Sequence, residues 1–304
     1  MKKMKPKSKK KKILFIVSAI MAVLIIAGDW VLSVMVYNEN FNQRFESYEP
    51  LMLYVDDFNG LHRTKYEFSS NEGQKLAGYM YSSGENQRGI VVMAHGFGGG
   101  GHNSYPIVLF GHSWGGYSVC SALTYHPEVK AVIACSGFNA SPNLFEAEGK
   151  KQAGNGIYLM LPFVKLHERI QYGRYASNTA LDGFSKSNAA VMIVHSFDDE
   201  VVPVEYGYEL YYEKYKDDSR FRFIPLENKG HNYFNDDTYR NEFNAKFDEW
   251  LKTLDYDYNT EENMERFSED KANYIHQNLD REKWCHSLDL ELFEDFLDFY
   301  DEHI

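Results

Sequence analysis

The sequence predicts an α/β protein built on a mostly parallel sheet with helices on both faces, and three observations carry that reading. Short continuous apolar runs recur at 89–94, 107–110, 129–136 and 189–195, each bounded by turn residues and too short for a core helix. Segments of helical period stand between them, at 114–125, 205–216 and 239–254. The third observation is GHSWGG at 111–116, a glycine-rich strand-to-helix turn directly behind the run 107–110. Strands alternating with helices imply parallel pairing, because a crossover is needed to bring the chain back to the same edge.

Composition narrows the class. The 304 residues are 44% hydrophobic and 16% aromatic, ample for a core, which excludes a disordered chain. The formal charge of −12 is unevenly spread, with eight lysines inside residues 1–12 and sixteen acids against four bases in residues 255–304. The basic run abuts an apolar segment and the remainder is acidic, so nucleic acid is not an expected partner. Cys120, Cys135 and Cys285 show no metal-ligand spacing and read as small packed hydrophobes. No His/Asp/Glu set has the spacing of a metal site, and neither a metal nor a cofactor is expected.

Taken in order, the chain opens on the lysines and then on residues 13–27, all apolar or small, with apolar character resuming at 30–37. That makes about 24 residues, enough to cross roughly 30 Å of hydrocarbon as a helix. Asp29 falls past the middle, toward the far interface, beside Trp30. A cleaved signal peptide shares the charged start, but no A-x-A-like site follows, so 13–37 is read as a transmembrane signal anchor. The positive-inside rule then keeps the N-terminus cytoplasmic and places the rest of the chain outside the cell membrane.

Residues 38–62 form a polar, aromatic-dotted lead-in. Residues 64–69 and 75–81 alternate as strands around a turn at Asn71, Glu72 and Gly73. The buried run 89–94 ends in HGFGGGG at 95–101. Pro127 stops the helix that begins at Trp114. Residues 137–187 read as irregular with short helices at 143–151 and 161–172, and 220–226 as a further strand. The helix at 239–254 carries Phe243, Phe247 and Trp250 as an apolar stripe. In the acidic tail, 255–304, Leu292, Phe293, Phe296, Leu297 and Tyr300 share helical spacing, which predicts an amphipathic helix packed against the protein.

The chemistry converges on Ser113. A serine needs a base within hydrogen-bond reach, and the base needs an orienting carboxylate. The strand at 189–195 runs into Asp198 and Asp199, and the strand at 220–226 runs into His231. Both lie past the carboxyl ends of strands, the edge at which open α/β sheets gather their functional groups.

With these pieces in order, the sequence resembles the α/β-hydrolase superfamily, and within it membrane-anchored bacterial serine hydrolases similar to serine aminopeptidases and lysophospholipase-like esterases. The resemblance runs from about residue 63 to 254. It rests on the strand–turn–strand opening, HGFGG at 95–99, GHSWGG at 111–116, DDEVVP at 198–203 and GHNYF at 230–234. It implies Ser113 as nucleophile, His231 as base and Asp199 as orienting acid, because the family's Asp-x-x-Val-Pro frame fits Asp199 rather than Asp198. It further implies an oxyanion hole from the N–H groups of Phe97 and Trp114, a cap at 137–187, and cleavage of a small-molecule or peptide ester or amide through an acyl-enzyme. Phe138, Phe145, Leu159, Met160, Leu161 and Phe163 either line an apolar substrate site or form the cap's own core.

One departure qualifies the match. Only ten residues, 97–106, separate the HG turn from the strand of Ser113, where family members place a helix, an inserted strand and a second helix. Such a link spans a strand of about 20 Å only if extended, and is expected to leave one sheet face under-covered and a gap in the sheet. The alternative reading is therefore a catalytically impaired or non-enzymatic relative.

Overall fold

The computed structural model describes residues 9–41, 48–52, 54–69, 75–83, 90–94, 107–236, 238–285 and 287–304. Among them, β1 (His62–Ser69) and β2 (Lys75–Ser82) pair as an antiparallel hairpin. β3 (Ile90–Ala94), β4 (Ile107–His112), β5 (Ala131–Cys135), β6 (Ala190–Ser196) and β7 (Phe221–Leu226) form a separate, wholly parallel sheet in that order. The helices are α1 (Lys9–Phe41), α2 (Trp114–Ala122), α3 (Ser141–Ala153), α4 (Ile157–Tyr172) and α5 (Ala180–Lys186), then α6 (Tyr208–Tyr215), α7 (Thr238–Leu251), α8 (Met264–Asn278), α9 (Arg281–Cys285) and α10 (Leu290–Asp301).

The period-2 alternation of a strand divides the core into two layers. Leu109, Val132, Ala134, Val191 and Ile193 face one way, onto Val119 and Cys120 of α2, Phe184 of α5 and Tyr211 of α6. Val108, Ile133, Cys135, Met192 and Val194 face the other way, onto Leu292, Phe296, Phe299 and Tyr300 of α10. Helices on both faces of a parallel sheet, as the sequence predicts, follow from strands that are apolar on both sides.

α10 closes one face of the sheet over β4–β7, so the expectation of an under-covered face holds only at β3. The tail supplies that helix, and its acids point to water because the apolar residues repeat every three to four positions. Leu297, expected within that stripe, is instead exposed; the buried positions are 292, 296, 299 and 300. The stripe of the helix at 239–254 meets aromatic residues of α8 and α9, with Phe243 against Trp284 and Trp250 stacked on Tyr274 at 4.6 Å.

The expected gap in the sheet has a counterpart in the split between the hairpin and the five-stranded sheet. β3 lies at one edge of the described sheet, and Val91 and Val92 on it are exposed. The link between β3 and β4, with HGFGGGG inside it, lies outside the described residues.

Residues 12–41 of α1 are long and apolar enough to cross a membrane, with an 18-residue stretch of mean hydropathy 2.4. Residues 13–28 are exposed all round. From Asp29 onward one side of the helix is covered, with Ser33 and Tyr37 buried. The covering elements are α3 and α4: Tyr37 packs with Phe145, Ile157, Leu161 and Val164. Tyr37 also donates to the buried Glu168 carboxylate, which accepts a second hydrogen bond from Ser141. The region 137–187 is therefore more regular than expected. Phe145 and Leu161 are core residues of it, as is Phe138 beside Tyr117 and Leu144, whereas Leu159 is open to solvent.

Candidate active site

The turn between β4 and α2 is set by glycine. A Cβ on Gly111 would lie 2.2 Å from the Gly115 carbonyl oxygen, and one on Gly116 would lie 3.0 Å from the Cys135 carbonyl oxygen. Only bare backbone allows helix and strand to approach so closely. Ser113 takes up the sharpness of the turn, with φ 58° and ψ −119°, a conformation that costs an L-residue of order 1–3 kcal/mol. Its N–H donates to the Cys135 carbonyl at 2.9 Å, which ties the turn to β5. Its side chain is thereby presented at the carboxyl edge of the sheet.

Two further loops reach that edge. His231 Nδ1 lies 2.7 Å from Asp199 Oδ2. The other carboxylate oxygen, Oδ1, accepts the N–H groups of Val201 and Val202, each at 2.9 Å. Burial by itself raises the pKa of Asp199, but the hydrogen bonds from His195, His231 and Val202 outweigh it and hold the carboxyl well below its usual range. An ionised carboxylate beside Nδ1 fixes that nitrogen as the donor, leaving Nε2 of His231 as the acceptor.

Two histidines brace this pair. Nε2 of His112, next before Ser113, donates to the His231 carbonyl at 2.9 Å, and the two rings lie 4.6 Å apart. Burial lowers the His112 pKa, with the hydrogen bond to His231 opposing. His195, at the end of β6, has Nε2 2.8 Å from the Val202 carbonyl and 3.3 Å from Asp199 Oδ2. A carbonyl only accepts, so Nε2 carries the proton and shares it with the carboxylate. The sequence reading missed His195, although its place at a strand's carboxyl end, four residues before Asp199, was the available signal.

Asp198, the rejected alternative, points elsewhere. It accepts hydrogen bonds from Ser196 and from the N–H groups of Lys229 and Gly230, and so clasps the loop that carries His231. The tail holds the other side of that loop. Asp289 N–H donates to the Phe234 carbonyl and Asp236 N–H to the Ser287 carbonyl, both at 2.9 Å.

Trp114 opens α2, and its N–H has no backbone partner among the described residues. The indole ring packs edge-on against Phe138 at 5.0 Å and Phe41 of α1 at 6.4 Å. Phe97 lies outside the described residues. Among the described residues no cluster of side chains fit to hold a metal ion is found, and the three cysteines are free and buried.

No curated protein matches the chain. Among solved structures it is similar to a Pyrococcus furiosus esterase, at 13% identity and a TM-score of 0.44 over 69% of this chain and 96% of that one. It is similar to the acylaminoacyl peptidase of Pyrococcus horikoshii, at 19% identity and a TM-score of 0.30 over 48% of this chain. It spans only 24% of that peptidase's length. Acetyl xylan esterase 1 from Thermoanaerobacterium is similar at 16% identity and a TM-score of 0.31, over 46% of this chain and 44% of that one. The model of the prolyl oligopeptidase family matches residues 103–255, about half of the chain, a span that contains Ser113, Asp199 and His231. The chain belongs to the prolyl oligopeptidase family, hydrolases of the α/β-hydrolase fold.

Proposed function

We propose that the protein is an extracytoplasmic serine hydrolase, cleaving an ester or an amide, peptides included, through Ser113, His231 and Asp199. The observation that carries this reading is the 2.7 Å contact between His231 and Asp199, joined through His112 to the strained turn that bears Ser113. Nε2 of His231 takes the Ser113 proton as Oγ attacks the substrate carbonyl, and Asp199 stabilises the imidazolium that results. The Trp114 N–H, at the positive end of α2, and the Phe97 N–H stabilise the oxyanion. Collapse of the tetrahedral intermediate, with His231 returning its proton to the leaving group, leaves an acyl-enzyme. Water activated by the same imidazole then releases the acid.

In this reading residues 1–12 are cytoplasmic and 13–37 are a single-pass anchor in the cell membrane. The hydrolase unit is 63–254, with 137–187 as its cap, and 255–304 is an acidic helical tail. A second reading, that the chain is catalytically impaired, draws on the short β3–β4 connection and on the hairpin's separation from the main sheet. Labelling the detergent-solubilised chain with a fluorophosphonate probe separates the two. Labelling that disappears in Ser113→Ala supports the hydrolase; folded protein with no Ser113-dependent labelling supports the impaired relative.

A further inference from the structure

Helix α4 carries an apolar stripe that is open to solvent except where Phe163 meets Trp30 of α1. Leu159, Phe163, Leu166 and Ile170 repeat at intervals of three and four residues and so share one face of the helix. Leu159 is 72% exposed, Leu166 49% and Ile170 67%, whereas the opposite face, with Ile157, Leu161 and Val164, is buried in the cap core. An exposed stripe of this kind is an interaction surface.

Its position beside α1 says what covers it. The α1 helix is bare over 13–28 and is partly covered by α3 and α4 from Asp29 onward. The ring of Trp30 meets Phe163, in the middle of the stripe, edge-on at 6.0 Å. Tryptophan beside a carboxylate toward the far end of an apolar span marks the approach to the lipid headgroups. The stripe therefore stands at that level, and Lys165 and Arg169 are exposed one step round the helix from it, suited to anionic headgroups.

We infer that α4 lies in the membrane interface, with its Leu159–Phe163–Leu166–Ile170 face among the lipids, so that the cap is docked on the bilayer as well as tethered to it. The inference rests on α1 being a membrane anchor. The occupant is the bilayer itself and not a second copy of the chain, because Phe163 of the stripe meets Trp30 of the helix that enters the bilayer, and the basic residues beside the stripe suit its headgroups.

The test uses the full chain in phosphatidylcholine/phosphatidylglycerol vesicles, with an environment-sensitive fluorophore on one introduced cysteine, the three native cysteines being buried. The positions are Leu166→Cys, Ile20→Cys in the anchor and Glu249→Cys on exposed α7. A label at 166 should be quenched by lipids carrying a spin label near the headgroup, and iodide should quench it about threefold less than at 249, as for a site 5–10 Å deep. Iodide quenching at 166 equal to that at 249, with the label at 20 still quenched by lipid, would overturn the inference while leaving the anchor intact. Protection at 166 from both quenchers would assign the stripe to a protein partner and overturn it too. Iodide access at 20 would remove the anchor, and the inference with it.

Discussion

The Tyr300 hydroxyl donates to the Leu109 carbonyl at 2.6 Å, so a helix of the acidic tail is bonded to the strand that delivers Ser113. The same helix closes one face of the sheet with Leu292, Phe296 and Phe299. Phe296→Ala should cost about 3–5 kcal/mol, the usual range for a phenylalanine removed from a core. Tyr300→Phe, which loses one hydrogen bond, should cost only about 0.5–1.5 kcal/mol. Urea unfolding of both variants checks the order, and equal midpoints would mean that α10 is not part of the cooperative unit.

The two neighbouring aspartates are predicted to differ sharply. Asp199→Asn leaves the geometry but reverses the proton on His231, and should lower kcat by about 10⁴-fold with little change in KM. Asp198→Asn disturbs the clasp on Lys229 and Gly230 and should act mainly on stability. Steady-state kinetics on any ester that the wild type hydrolyses ranks the pair. A larger kcat loss at 198 would exchange their roles.

Two carboxyls give stability opposite dependences on pH. The Asp199 pKa is lowered in the fold, so its contribution is present above the unfolded value of about 3.9 and is lost as pH falls below it. Glu168 is raised, chiefly by burial, with the hydrogen bonds from Ser141 and Tyr37 opposing. Its contribution is therefore present below about 4.3 and is lost as pH rises through the folded value. Melting temperatures of Glu168→Gln and Asp199→Asn across pH 3–7 isolate the two. Glu168→Gln should flatten the side above about pH 4 and Asp199→Asn the side below it.

Gly111→Ala is expected to fail at the turn itself. The added methyl carbon would stand 2.2 Å from the Gly115 carbonyl oxygen, so strand and helix must part. Overpacking of this kind costs typically 1–3 kcal/mol or more, and here it displaces Ser113 as well. Fluorophosphonate labelling should vanish even in protein that remains folded by circular dichroism.

How much of this was legible in sequence depends on the range of the interaction. The elbow could be read because its constraint is local, two glycines and a serine within five residues. The strands of the parallel sheet could be read from apolar runs that are buried on both faces. Asp199 and His231 followed from their places after strand ends, once a family frame chose between Asp198 and Asp199. What the tertiary structure decided involves residues far apart in the chain. Leu109 and Tyr300 are 191 positions apart, and Tyr37 and Glu168 are 131 apart. An amphipathic stripe says that a helix will bury one face but not against what, since apolar contact is non-directional and any exposed apolar surface satisfies it. Only the assembled fold shows that the tail covers the sheet, that α7 is held by its own neighbours, and that His195 shares its proton with Asp199. Sequence by itself determined which residues reach the carboxyl edge of the sheet; packing decided which distant segments hold them in place.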